Sequence, residues 1–273
     1  MPQNQEEFHR IQKLPPYVFA TINDLKAQAR QAGRDVIDMG FGNPDLPSPD
    51  VAVEKLAEAA HNPRNHRYSA SRGIPKIRQA IADLYLRKFQ VELDPDTEVV
   101  TTIGAKEGLS HLMWVLVGPG DTALVPSPSY PIHIYAPLFA GADVRHIRLD
   151  GPAGTDAGAE AEPGKAFFDN LVEAWESAWP KPRVVILSFP HNPTTECVDL
   201  AWMARIVDFA KEHDIVLVHD FAYADIAFDG YTPPSILQVP GAKDVAVELY
   251  TLTKSFSMAG WRVGFMVGNA EIV

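Results

Sequence analysis

Cysteine is almost absent: Cys197 stands alone in 273 residues, which excludes an intramolecular disulfide and fits a reducing compartment. No apolar run approaches the length of a bilayer span, and Met1 to Arg10 is polar and acidic where a secretory leader would be basic and then apolar. A cytoplasmic protein with no membrane association is the expectation. Positive charge is also scarce, with 24 Lys and Arg against 35 Asp and Glu and a formal net charge of -11. That balance argues against a general nucleic-acid partner, whose phosphates need clustered Lys and Arg. Nine histidines are present, yet none falls in an H-E-x-x-H or a Cys/His cluster, so no metal site is expected. There is no G-x-S-x-G nucleophile elbow, and Gly164-Lys165-Ala166 lacks both the earlier glycine and the hydroxyl of a P-loop.

What the chain does have is enough apolar residue for one large core or two modest ones. Phe8 to Gly33 reads as an extended lead-in, "LPPYVF", then a helix through Ile22, Leu25 and Ala29 closed by glycine. "IDMGFGNPDLPSP" follows, with Gly40 and Gly42 permitting close backbone approach and Pro44, Pro47 and Pro49 holding the chain extended. Val51 to Ala60 is helical, and a further helix carries Ile77, Ile81, Leu84 and Tyr85 at core spacing. From Glu98 the organisation changes. Short β-branched runs recur at Val99 to Ile103, Ala123 to Val125, Val144 to Ile147, Val184 to Phe189, Ile215 to His219 and Val245 to Leu249. Helical patterns separate most of them, including Lys106 to Val117 and Leu200 to His213. This alternation predicts an α/β fold, a mainly parallel sheet sandwiched by helices. Gly151 to Lys165 reads as a loop excursion.

Tyr250 to Phe265 fits neither a plain strand nor a plain helix. Its apolar strand pattern breaks into hydroxyl residues around Lys254 and resumes at Val263, Phe265 and Val267. A lysine in such a turn is placed for partial desolvation, which lowers its pKa, and an unprotonated amine can form a Schiff base. Thr251, Thr253, Ser255 and Arg262 beside it supply groups that bind a phosphate. Lysine plus anion site is what pyridoxal phosphate requires. The plain alternative is a solvated loop lysine.

Parallel sheets bind ligands at the carboxyl ends of their strands, so the residues after each strand test the idea. After Val99 to Ile103 comes "GAKEG", where Gly104 opens a helix whose amides at Ala105 and Lys106 can hold an anion. "PSPSYPIH" offers Tyr130 and His133, "PHNPTTE" offers Asn192, and Asp220 with Tyr223 follows Ile215 to His219. Each has a local explanation alone: a turn glycine, an Asn-Pro turn, a helix-capping Asp. Together they bring an acid, a phenol, an amide, a lysine and an anion site to one edge.

The ordered set "YSASRGIP" from Tyr68, "GAKEG" from Gly104, "PSYP" from Pro128, "PHNPT" from Pro190, "HDFAY" from His219 and "TLTKSFSMAGWRVG" from Thr251 resembles the class I/II aminotransferases. Within these fold-type I pyridoxal phosphate enzymes the chain looks most like bacterial glutamate:pyruvate (alanine) and LL-diaminopimelate aminotransferases. The resemblance implies pyridoxal 5′-phosphate as cofactor and transfer of an amino group between an L-amino acid and a 2-oxo acid, alanine/pyruvate with glutamate/2-oxoglutarate. It makes Lys254 the Schiff-base lysine, Asp220 the partner of the ring nitrogen, and Tyr223 and Asn192 partners of the ring oxygen. Tyr130 is expected to stack on the ring, with His133 behind Asp220. Thr251, Thr253, Arg262 and the amides of Ala105 and Lys106 are expected at the phosphate, joined by Tyr68 of a second subunit in a homodimer. Gly42 is expected near the substrate carboxylate, and Asn192 is expected to bind substrate as well.

The same resemblance divides the chain into an arm and part of a small domain, residues 1–45, and a cofactor-binding large domain, residues 46–273. The C-terminal small domain, which carries the substrate-gripping arginine, is expected to be missing. Thr195 departs from the glycine many relatives carry after "N-P-T". Two other functions fit the motifs. A β-lyase or synthase would keep Lys254, Asp220 and Tyr223, and a non-catalytic ligand-sensing domain of a regulator would keep the fold. Against the second stands the lack of a basic helix-turn-helix before Leu14.

Overall fold

The β-branched runs form one seven-stranded sheet, and their alternating residues supply two cores, one on each face. The structure, a computed structural model, describes residues 18–40, 42–149 and 164–273. The chain divides into two units, Met1–Asn43 and Pro44–Val273. The first contains helix α1 (Val18–Gln31). The Gly33 amide closes it on Arg30 O at 3.0 Å, with the left-handed φ of 75° that glycine adopts at no steric cost. The expected extended "LPPYVF" is corrected at its end: Val18 and Phe19 are already helical. Pro15 and Pro16 precede a helix more readily than they sit inside one. Residues 14–17 of that stretch lie outside the described residues.

The second unit runs α2 (Asp50–Ala60), a 3₁₀ turn at Pro63–His66, α3 (Pro75–Phe89), β1 (Val99–Thr102), α4 (Ala105–Leu116), β2 (Thr122–Ser127), α5 (Pro131–Ala140) and β3 (Asp143–Arg148). Then come α6 (Lys165–Ser177), β4 (Val184–Leu187), α7 (Leu200–His213), β5 (Val216–Asp220), β6 (Ala246–Thr251), a helical turn at Leu252–Ser255 and β7 (Gly264–Gly268). Every expected strand is present. The excursion after Gly151 ends earlier than read, because Gly164 and Lys165 open α6; residues 151–163 lie outside the described residues.

Strand order is β1-β7-β6-β5-β4-β2-β3. Only β7 runs against its neighbours, pairing antiparallel with both β1 and β6. The other six strands therefore end at the same edge, the arrangement that βαβ crossovers produce. Period-two alternation divides the side chains: Leu124, Val185, Leu187 and Tyr250 face the core built with α3, α6 and α7, while Val125, Val184, Ile186 and Leu249 face that of α4 and α5. Strands buried on both faces must be apolar throughout, which is why they read as unbroken hydrophobic runs. Among the described residues no helix is long and apolar enough to cross a membrane.

Polar residues are buried in these strands too, and one acid stands out. Glu248, in the middle of β6, is fully buried. Its carboxylate accepts hydrogen bonds from the Tyr85 hydroxyl (2.7 Å), the Ser235 hydroxyl (2.8 Å) and the Ile236 amide (3.0 Å), and meets His219 Nδ1 at 2.8 Å. His219 is its register partner on β5. The pair ties α3, β5 and β6 together, and removing the carboxylate leaves these donors without an acceptor in a dry interior. Glu248→Ala is expected to lower unfolding free energy by about 3–5 kcal/mol in urea denaturation. A loss below about 1 kcal/mol would show that the network is dispensable.

Candidate active site

Asp220 is the last residue of β5 and lies at the shared strand edge, almost fully buried. Its Oδ2 meets His133 Nε2 at 2.8 Å, and the far ring nitrogen, Nδ1, meets the Ser129 hydroxyl at 3.0 Å. His133 reaches this position because Pro131 starts α5 at once after β2, leaving the histidine in the first turn and fully buried. The other carboxylate oxygen, Asp220 Oδ1, is buried without a partner. An unpaired carboxylate oxygen in a dry position costs free energy unless a donor arrives.

Asn192 and Tyr223 come together beside it, the Asn192 amide donating to the Tyr223 hydroxyl at 3.2 Å. Burial raises the Tyr223 pKa, and the Asp220 charge raises it further against the Asn192 hydrogen bond. Lys254 lies in the helical turn after β6, its Nζ 5.9 Å from the Tyr223 ring centroid. Burial lowers its pKa below the ordinary lysine value. Tyr130 precedes α5 with its ring 5.8 Å from that of His133 in an edge arrangement, and the Lys106 ammonium sits 5.9 Å from the same phenol ring.

The residues expected at a phosphate meet where β7 begins. Gly104 precedes α4 with φ 83°, and no side chain caps that helix start. A Cβ on Gly104 would lie 2.4 Å from Arg262 Nη2, so the glycine is what lets the guanidinium approach. Gly264 pairs with both Thr102 and Thr251 in the sheet, and a Cβ there would strike the Ala105 amide at 2.8 Å. The Thr251 hydroxyl lies 2.9 Å from that of Thr253 and accepts the Thr253 amide at 3.2 Å. Arg262 donates to Ala259 O at 3.0 Å and Ile103 O at 3.4 Å, which holds the guanidinium beside Gly104 at the start of α4. A helix start, a cation and two hydroxyls form a cradle for a dianionic group.

Of the other expected residues, Tyr68 is fully exposed, and Gly42 belongs to the first unit. Sequence reading passed over Ser129, whose i, i+4 spacing to His133 is the only local signal of their contact, and His191, quoted only as part of "PHNPT". Burial, with the nearby His133, pushes the His191 pKa down to about 4. Beside Asn192 and Tyr223 opens a largely apolar cavity of about 740 Å³, lined also by Pro193, Ile226, Phe228 and Cys197.

Residues 34–273 match the family model for aminotransferase class I and II. The chain belongs to that family. It is a family of pyridoxal-phosphate enzymes, and the buried oxygen of Asp220 that lacks a partner among the described residues, the half-buried Lys254 and the helix start beside Arg262 and Thr251 fit that cofactor. The chain is 51% identical over 98% of its length to glutamate-pyruvate aminotransferase AlaC of Escherichia coli (strain K12), of which it covers 62%. It is 42% identical to the LL-diaminopimelate aminotransferase of Desulforudis audaxviator, again over 98% of this chain and 65% of that one. Among solved structures, substrate-bound BacF of Bacillus subtilis superposes on the whole chain with a TM-score of 0.83 at 36% identity, 65% of that chain being covered. The chain thus spans somewhat under two thirds of the length of the aminotransferases it matches.

Thr195 sits at φ 63°, its amide donating to His191 O at 2.8 Å. A β-branched residue is strained in that left-handed region, where glycine is not. Thr195→Gly is expected to raise unfolding free energy by about 0.5–1 kcal/mol in urea denaturation. A loss of stability would mean that the threonine side chain contributes more than its backbone costs.

Proposed function

We propose that this chain binds pyridoxal 5′-phosphate and carries the cofactor half of an aminotransferase, moving an amino group between an L-amino acid and a 2-oxo acid. The pair we favour is alanine/pyruvate with glutamate/2-oxoglutarate, supported by the 51% identity to a glutamate-pyruvate aminotransferase. The observation that carries the reading is the Asp220 carboxylate, engaged by His133 on one oxygen and lacking a partner on the other, at the edge where Lys254 also sits.

When bound, the cofactor supplies a carbonyl carbon that an amine can attack and a pyridine ring that withdraws electrons from the substrate Cα. Asp220, through Oδ1, would hold the ring nitrogen. His133, steadied by Ser129, fixes the carboxylate. Tyr223 and Asn192 would hold the ring oxygen, and Tyr130 would support the ring. Thr251, Thr253, Arg262 and the amides of Ala105 and Lys106 hold the phosphate. Lys254 Nζ would hold the cofactor, and it would also be the group that takes the proton from the substrate Cα. An amine with a lowered pKa is neutral for a larger share of the time near neutrality, as that proton transfer requires.

In this reading residues 1–45 belong to an arm and small domain and residues 46–273 to the large domain. Gly42 then lies near the substrate carboxylate, with Asn192. Tyr68 reaches the phosphate of a second copy, so the active form is a homodimer. Support for the dimer comes from α2, which has no buried residue although Val51, Val53 and Leu56 lie along it, and from the exposure of Tyr68 and Ile74.

Borohydride reduction of the chain saturated with pyridoxal 5′-phosphate is expected to leave a pyridoxyl group on Lys254, read by peptide mass mapping. Lys254→Ala is expected to lose that label and to slow amino transfer, assayed with a panel of amino donors against pyruvate and 2-oxoglutarate, by at least about 100-fold. Labelling at another lysine, or undiminished transfer by the variant, would refute the assignment. For the dimer, sedimentation of the chain is expected to give twice the monomer mass, and Leu56→Glu to shift it toward monomer with weaker cofactor retention. A monomer that retains the cofactor equally well would remove the role given to Tyr68.

A further inference from the structure

We infer that Asp225 is the positioning residue that holds the Lys254 turn against the segment carrying Tyr223, an inference that rests on the amino-transfer reading above. After β5 the chain turns at Phe221 to Asp229, with Asp225 two residues beyond Tyr223. Its carboxylate collects donors from three separate places. The Lys88 ammonium, from α3, binds Oδ1, while the Tyr250 hydroxyl, from β6, and the Ser255 hydroxyl both bind Oδ2. The Tyr250 and Ser255 hydroxyls are themselves 3.3 Å apart.

Tyr250 precedes Lys254 by one turn's length of chain and Ser255 follows it directly, so a single carboxylate fastens the lysine turn on both flanks. Lys88 secures the other side of the junction. Its ammonium also reaches Ala224 O at 3.3 Å and lies 5.7 Å from the Tyr250 ring centroid. The result is a clasp between the Tyr223 segment and the Lys254 turn, which are far apart in sequence and whose side chains meet at 5.9 Å. Asp225 is built to stay ionised: burial pulls its pKa up, but the hydrogen bonds from Lys88, Ser255 and Tyr250 outweigh that and hold it below the ordinary value. Burial and the Asp225 carboxylate raise the Tyr250 pKa, so its hydroxyl remains a donor. Asp225 acts through Ser255 and Tyr250 on where Nζ stands, and reaction rates are steep in such placement.

The deciding experiment follows covalent attachment at Lys254 after mixing with pyridoxal 5′-phosphate, trapped with borohydride at successive times. Asp225→Ala and Ser255→Ala are each expected to slow attachment by about tenfold. Because Asp225→Ala already removes the Ser255 contact along with those of Lys88 and Tyr250, the double variant should be no slower than Asp225→Ala alone. Ser255→Thr, which keeps the hydroxyl, should recover the rate to within about twofold, while the thermal midpoint of Ser255→Ala stays close to wild type. Asp225→Ala strands the Lys88 ammonium, so if it fails to fold, Ser255→Ala and its threonine rescue carry the decision. Attachment to Ser255→Ala at the wild-type rate would overturn the inference, as would independent, multiplying effects in the double variant. A wild-type chain that takes no label at Lys254 would overturn the amino-transfer reading itself.

Discussion

A carboxylate brought out of water must be met by donors, and at Asp220 the fold meets only half of that demand. His133 engages one oxygen and is itself braced by Ser129. The opposite oxygen is left bare in a position with almost no solvent access. Much of the architecture follows from sustaining this imbalance. The parallel strands deliver Asp220 to the edge, the immediate start of α5 delivers His133, and the two cores on either side of the sheet keep water away. A protein selected for stability alone would replace such a group or complete its partners, since the desolvation of an ionised carboxylate is large. Its retention reads as binding energy held for a cationic donor.

Glu248 makes the contrast plain. It is more deeply buried than Asp220, yet its two oxygens receive two hydroxyls, an amide and an imidazole. One carboxylate is complete and joins elements together; the other is incomplete and sits where a ligand would complete it. Asp225 is a third case, half-exposed and saturated by Lys88, Tyr250 and Ser255. Three acids within two neighbouring strands and their connection thus divide into fastening and receiving. The division is visible only from their partners, since all three interrupt apolar or aromatic stretches in the same way.

That difference explains what was legible in the sequence. The strands could be read because burial on both faces demands unbroken β-branched runs, and Asp220 and Lys254 because each stands where such a run stops. The cradle could be read in part, since Gly104 at a helix start is a local signature. The reversed direction of β7 could not, because nothing in Gly264 to Gly268 encodes which neighbours it will have. Nor could the clasp at Asp225, which joins groups from α3, β6 and the lysine turn without any spacing rule. The early start of α1 was missed because prolines were read as continuing an extended segment when they instead precede a helix. Thr195 was seen as a departure, but its left-handed backbone is a property of the turn and not of the residue type.

The placement of β7 also bears on the order in which the molecule can assemble. β1 has a single neighbour in the sheet, and Val99 waits for Val267 to pair with it. During synthesis the βαβ units from β2 to β6 can collapse as they emerge, whereas β1 stays without its mate until β7 arrives. The cradle around Gly104, Arg262 and Thr251 is closed by that same strand. The contacts that gather Gly104, Arg262 and Thr251 should therefore form late in folding, after most of the sheet, because they join segments distant along the chain.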